Sequence, residues 1–239
     1  PDTENHYIPH AVQEDVFKKL PKEDVDKFRV DNMGENGKDK MIFFWNNRNA
    51  RRKQSGTLAL WFSEFAEEVG PENVCLHDHG YDDGRVLISR AKVPPTHLSM
   101  MYNMADVTVN ISDAEGFGLG TLESLSCGTP IVVTMTGGLQ EQVTDGKEWF
   151  GIGIEPASKA TIGSQEVPYI NEDRISKEDF TAALHKMYNM TPEEREELGA
   201  KGTAHVNKNY NFEDFKRKWI ELMDKIVEER GSWETRKGY

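Results

Sequence analysis

The sequence predicts an α/β fold: a Rossmann-like parallel sheet with helices on both faces, followed by C-terminal helices. Three observations carry that expectation. Apolar runs of strand length alternate with amphipathic stretches of helical period from residue 41 to residue 154. Several of the runs are continuously apolar, as strands covered on both faces must be. From Ser176 onward only helical patterns remain.

The elements follow in order. Met41-Ile42-Phe43-Phe44-Trp45 is the first strand. Ser55 to Val69 is an amphipathic helix, with Leu58, Phe62, Phe65, Ala66 and Val69 at helical spacing. Val74-Cys75-Leu76 and Val86-Leu87-Ile88 are short strands. Pro95 to Met104 is a helix with Leu98, Met101, Tyr102 and Ala105 on one face, and Val107 to Ile111 is the next strand. Leu119 to Cys127 forms a short helix, closed by Gly128 as a left-handed cap and stopped by Pro130. Ile131-Val132-Val133 is a buried strand, Gly138 to Thr144 a short helix and Phe150 to Ile154 the last strand. Residues 155–175, with Pro156, Gly163 and Pro168, are expected to be irregular. A capping serine, Ser176, opens one helix, and Thr191-Pro192 opens another with acids in its first turn. The last helix, Phe212 to Val227, carries a stripe of Phe212, Phe215, Trp219, Leu222, Met223 and Ile226; Phe212, Phe215 and Trp219 are expected to pack in the core, with an exposed part of the helix as the alternative.

This divides the 239 residues into three parts. Residues 1–35 are polar and read as a lead-in or inter-domain linker, with Pro9 biasing Ile8 toward extended geometry. Residues 36–190 form the Rossmann-like domain, and residues 191–239 are helices packing on it or toward a further domain. The chain begins at Pro1 without Met, which points to a fragment or a processed chain. A net charge of -12 argues against non-specific binding to nucleic acid or an acidic membrane surface. No apolar run approaches the roughly 20 residues of a transmembrane helix. No signal-peptide pattern is present, so a cytoplasmic location is the default expectation. Cys75 and Cys127 lack metal spacing and are expected to be buried thiols.

The segment from Glu115 to Glu123 carries the chemistry. It follows a strand and opens a helix, where ligands of parallel α/β sheets bind. Gly116, Gly118 and Gly120 allow close approach of backbone to ligand, and the helix N-terminus offers free amides and a positive dipole end to a phosphate. The pattern does not fit a nicotinamide fingerprint, because it falls late in the fold. Glu115 and Glu123, with seven residues between them, can both face the crevice, where carboxylates accept from vicinal sugar hydroxyls. A helix-capping acid with a solvated acid is the bland alternative. Arg48, Arg51, Arg52 and Lys53 follow the first strand, where arginine can clamp a diphosphate and lysine add a point charge. A solvated basic loop is the alternative there. His77-Asp78-His79 lacks a third ligand, and Asp24-Val25-Asp26 lies in the lead-in rather than at a strand end, so no metal is expected.

Three stretches carry a family resemblance: Ser112 through Leu119, Leu122 through Val133, and Gly137-Gly138-Leu139-Gln140-Glu141. Together they resemble the GT-B family of retaining glycosyltransferases known as family 4, in its C-terminal, donor-binding half. Glu115 and Glu123 meet its Glu-x7-Glu signature, and Arg48 and Lys53 stand five apart like its basic pair. Tyr7-Ile8-Pro9-His10 resembles the family's inter-domain linker, and Val167-Pro168-Tyr169-Ile170 and the last helices also look family-like. Departures are Gly120 where the family often has Pro, Gln54 where it has Gly, and Ala11 where the linker often has Gly.

The resemblance implies a nucleoside-diphosphate sugar donor and transfer with retention. Arg48 and Lys53 would stabilise the departing diphosphate, and Glu115 would orient the donor sugar. Gly116, Phe117, Gly118 and Leu119 would hold phosphate and sugar through the backbone. Glu123 would accept from the ribose hydroxyls, and Val93 would present backbone groups to the base. It implies no cofactor and no metal, and a carbohydrate, lipid or protein acceptor bound by an N-terminal domain missing from this sequence. Alternatives are a nucleotide-sugar-binding module without transferase activity of its own, or another GT-B enzyme such as an epimerase or a phosphorylase.

Overall fold

A computed structural model describes residues 4–35, 37–78, 86–88, 92–163 and 165–235. The elements in chain order are α1 (Lys22–Met33), β1 (Met41–Phe44), α2 (Ser55–Val69), β2 (Val74–Asp78), β3 (Val86–Ile88), α3 (Pro95–Met104), β4 (Val107–Asn110), α4 (Leu119–Ser126), β5 (Ile131–Thr134) and α5 (Leu139–Val143). They continue with β6 (Gly151–Ile154), β7 (Ser158–Ile162), β8 (Ile170–Arg174), α6 (Lys177–Tyr188), α7 (Pro192–Asn209) and α8 (Phe212–Arg230).

Six strands form a parallel sheet in the order β3-β2-β1-β4-β5-β6. The chain winds outward from β1 in one direction, then returns to β4 and winds the other way. Helices therefore cover both faces, and the strand order reverses between β1 and β4. The strands sort their side chains by parity. Phe43, Val107, Val109 and Ile152 join α2 and α6 in one core through Phe62, Phe65, Phe180 and Leu184. Ile42, Phe44, Ile131 and Val133 join α3, α4, α5 and α7 in the other through Tyr102, Leu122, Leu139 and Val206. This two-sided burial is why the strands are apolar throughout. Cys75 and Cys127 are both buried and not joined in a disulfide.

Three expectations are corrected. Residues 155–175 are not irregular: β7 and β8 pair as an antiparallel hairpin from Ser158–Arg174 to Ile162–Ile170. The strands of this hairpin are mostly polar and exposed, so they lack the apolar pattern by which the others were found. Residues 1–35 are more than a polar lead-in. Val12 and Phe17 are buried in the second core, and α1 packs on α3, with Arg29 donating to the Met104 carbonyl at 3.3 Å and to Asp106 at 3.3 Å. The apolar stripe of α8 is not core: no residue of this helix is buried, and Met223 is 55% exposed. Helix starts follow their caps. Ser176 accepts from the Asp179 amide, and Thr191 and Glu194 form a reciprocal capping box.

Candidate functional site: the crevice between β1 and β4

Where the strand order reverses, the loops after neighbouring strands diverge to opposite faces and leave a crevice at their carboxyl ends. The loop after β1 carries the basic residues, and the loop after β4 carries the glycine turn. The sequence-predicted groups thus arrive at one place from two segments.

The basic loop ends in a single 3-10 turn, Arg51–Lys53, and then Gln54 in the left-handed region, φ 57. A side chain is disfavoured in that region by roughly 1–2 kcal/mol. The family's glycine would adopt it freely, whereas Gln54 offsets the cost with its side chain. Its amide donates to Asp113 at 2.5 Å and its carbonyl accepts from Thr57 at 2.7 Å. Asp113 also accepts from Arg174 at 2.8 Å, and its backbone amide donates to the Arg52 carbonyl at 2.8 Å. Burial, first of its causes, raises the Asp113 carboxyl above its ordinary range.

Lys53 and Glu115 meet directly. The Lys53 ammonium donates to Glu115 Oε2, both side chains are about nine-tenths buried, and Arg52 stands 3.7 Å from the same oxygen. Burial lowers the Lys53 ammonium from its ordinary range, against the pull of Glu115. Arg48 is exposed, and no described residue pairs with it.

The glycine turn is held from α5. Gln142, fully buried, donates to the Phe117 carbonyl at 2.7 Å and accepts from Thr121 at 2.6 Å. Gly137, φ 49, lies so close beneath the turn that a Cβ would sit 1.7 Å from the Glu115 carbonyl oxygen. Only glycine permits this contact. Within the turn itself only Gly118 needs positive φ, at 91°, while Gly116 faces open space and Gly120 is helical. Leu119 is exposed at the start of α4, and the first-turn amides there lack intrahelical acceptors. Phe117 turns inward, edge-on to His10 at 5.0 Å and to Tyr210 at 5.8 Å.

Glu123, on the next turn of α4, accepts from the Tyr102 hydroxyl at 3.0 Å. Burial pushes its carboxyl up to about 7, with the Tyr102 hydrogen bond pulling the other way. Val93 stands apart, partly buried against the second core just before α3. Of the motif His77-Asp78-His79, His79 lies outside the described residues. Among the described residues, no three His, Cys, Asp or Glu side chains converge as a metal site.

Sequence reasoning had not singled out Gln142, Thr121, Asp113, Asn46 or Tyr102 for the site. Tyr102 had a legible signal, because a buried tyrosine hydroxyl seeks a partner. The others are recognisable only once α3 and α5 are placed beside the turn.

The fold is that of one half of a GT-B glycosyltransferase. Residues 90–205 match the family described as Glycosyl transferases group 1. A D-inositol 3-phosphate glycosyltransferase of Corynebacterium jeikeium is 34% identical over 112 residues, 41% of this chain and 27% of that protein. Sucrose-phosphate synthase from Thermosynechococcus elongatus shares the fold with a TM-score of 0.70 at 20% identity, over 92% of this chain and 52% of that one. Anabaena HepE, solved in complex with UDP-glucose, does so with a TM-score of 0.65 at 13% identity, over 90% and 56%. The chain thus spans about half the length of these solved structures, and its matched stretch about a quarter of that curated relative.

Proposed function

We propose that the chain binds a nucleoside-diphosphate sugar in the β1/β4 crevice and serves as the donor half of a transferase that retains the anomeric configuration. The observation that carries this is the convergence of Lys53 from the β1 loop on Glu115 from the β4 loop, beside the open N-terminus of α4. A donor diphosphate supplies the anion that Lys53 and Arg48 would receive. Its sugar hydroxyls supply the donors that Glu115 would accept once Lys53 turns to phosphate. The backbone of Gly116, Phe117, Gly118 and Leu119 lines the path of the phosphate and sugar. Glu123 would take the ribose hydroxyls, and the backbone at Val93 the base.

The chemistry asks little more of this half. Negative charge develops on the departing diphosphate, and preorganised cations stabilise it most where water is excluded. We infer that side-chain cations, rather than a metal, provide that neutralisation. The acceptor would be a carbohydrate, lipid or protein group held by a separate domain. No helix among the described residues is long and apolar enough to cross a membrane.

Calorimetric titration with UDP, GDP and ADP tests the donor site. Saturable binding of one nucleotide, weakened at least tenfold by Lys53→Ala and by Glu123→Ala (roughly 1.4 kcal/mol each), is the expected result. Binding unaffected by either substitution would move the site elsewhere.

A further inference from the structure

Tyr102 is fully buried in α3, and its hydroxyl lies between Asn46 and Glu123. It accepts from Asn46 Nδ2 at 2.9 Å and donates to Glu123 Oε2 at 3.0 Å. A phenol has one proton. With its oxygen engaged by an amide donor, that proton is left for the carboxylate, so the chain Asn46–Tyr102–Glu123 has a single direction. Asn46 lies just past β1 and Glu123 follows β4, so one α3 side chain ties together both segments that flank the crevice. Gly120 leaves the room for this. A Cβ there would lie 3.0 Å from the Tyr102 hydroxyl and 3.3 Å from the Asn46 carbonyl oxygen. The departure from the family's frequent proline falls where this tie passes.

We propose that Tyr102 is a positioning residue for nucleotide binding: with Asn46 it holds one oxygen of Glu123, so that the other is presented, ionised, to the ribose of a nucleoside diphosphate. This rests on the assignment of Glu123 to the ribose made above. Burial alone drives the Glu123 carboxyl toward its neutral form, and the Tyr102 hydrogen bond is the opposing influence. Among the described residues, Cys127 at the C-cap of α4 also feels the Glu123 charge; burial pushes its thiol up to about 12, and it stays neutral. A neutral carboxyl would offer the ribose a poorer acceptor. Tyr102 therefore governs both the direction and the charge of Glu123 near neutral pH.

The test uses Tyr102→Phe and the milder Asn46→Ala, each read in two ways. Carboxyl NMR follows the titration of Glu123 in the free protein. Calorimetry then compares UDP, GDP and ADP with their 2′,3′-dideoxy forms from about pH 6 to about pH 9. In Tyr102→Phe the Glu123 midpoint rises above its parent value. Ribonucleotide binding weakens roughly tenfold at neutral pH, the size of one hydrogen bond to a charged group, and part of the loss returns as the pH is raised. The dideoxy forms, which offer Glu123 no hydroxyl, bind parent and variant alike. Asn46→Ala moves every readout the same way by less.

An unmoved midpoint, or a loss equal for ribo and dideoxy forms at every pH, would reduce Tyr102 to packing and overturn the proposal. A parent that binds ribo and dideoxy forms equally, while the midpoint still moves, would refute the ribose assignment and leave the Tyr102–Glu123 coupling standing. Failure of all three nucleotides to bind the parent overturns both.

Discussion

At the scale of single residues, the crevice is built from groups that local rules would place elsewhere. Lys53 is a buried cation, Glu123 a largely desolvated acid and Gln54 a left-handed non-glycine. Each is kept by a specific partner. Lys53 shows the consequence most directly. Removing one member of a buried ion pair strands the other, which costs about 3 kcal/mol. Lys53→Met is therefore expected to destabilise the chain by roughly that amount in urea denaturation, less whatever Arg52 recovers from its place 3.7 Å from Glu115. The double variant Lys53→Met with Glu115→Leu should regain most of the stability and none of the nucleotide binding. A double variant as unstable as the single one would mean that Lys53 matters for its packing rather than for its charge.

At the scale of elements, the β7–β8 hairpin shows how a polar segment can serve an apolar fold. Glu172 on β8 accepts from Arg51 at 2.5 Å and 3.1 Å and from Arg174 at 2.6 Å, and the Asp173 amide donates to the Asp113 carbonyl at 2.7 Å. The hairpin so clamps the basic loop to the start of the glycine turn. The Arg51 guanidinium beside Glu172 holds its carboxyl below the ordinary range. Glu172→Ala is expected to release the clamp and speed amide hydrogen exchange at residues 51–54 and 113–116, with little change in β5 and β6. Exchange unaltered in those two loops would show the hairpin to be decoration. Helix α8 makes the opposite point. Its apolar stripe reads as core by period, yet the helix buries no residue. Periodicity reveals that a helix has an apolar face, not what covers it.

At the scale of the whole molecule, the binding site draws on stability. Glu123 keeps its proton up to about 7 in the folded chain but releases it near its ordinary value of 4.5 when unfolded. Between those pH values the native state binds more protons, so this group makes stability fall as pH rises. Glu123→Gln removes that contribution and keeps an acceptor for Tyr102. The variant should be more stable than the parent at about pH 8, by roughly 3 kcal/mol, and nearly equal to it at about pH 4.5. Parallel stability profiles for the two chains would mean that Glu123 titrates normally. The stabilised variant should also bind nucleotide more weakly, the usual tension between a functional acid and the fold that buries it.

What the sequence determined by itself was local or periodic. The parallel strands were legible because burial on both faces demands continuous apolar runs. The helix starts at Ser176 and Thr191 were legible because caps act within one turn. The Glu115–Glu123 turn and the Arg48–Lys53 loop were legible because each is contiguous and stands directly after an apolar run. The hairpin and α1 escaped, since one is polar and the other packs mainly through Arg29 and a few half-buried side chains. Only the tertiary structure decided that the basic loop and the glycine turn meet, because strand order is a choice of pairing between distant segments. The same choice brings Tyr102 from α3 to Glu123 on α4, Gln142 from α5 to the Phe117 carbonyl, and Glu172 to Arg51 across 121 residues of chain. Hydrogen bonds and ion pairs of this kind follow no spacing rule, since their geometry exists only after the apolar faces have packed.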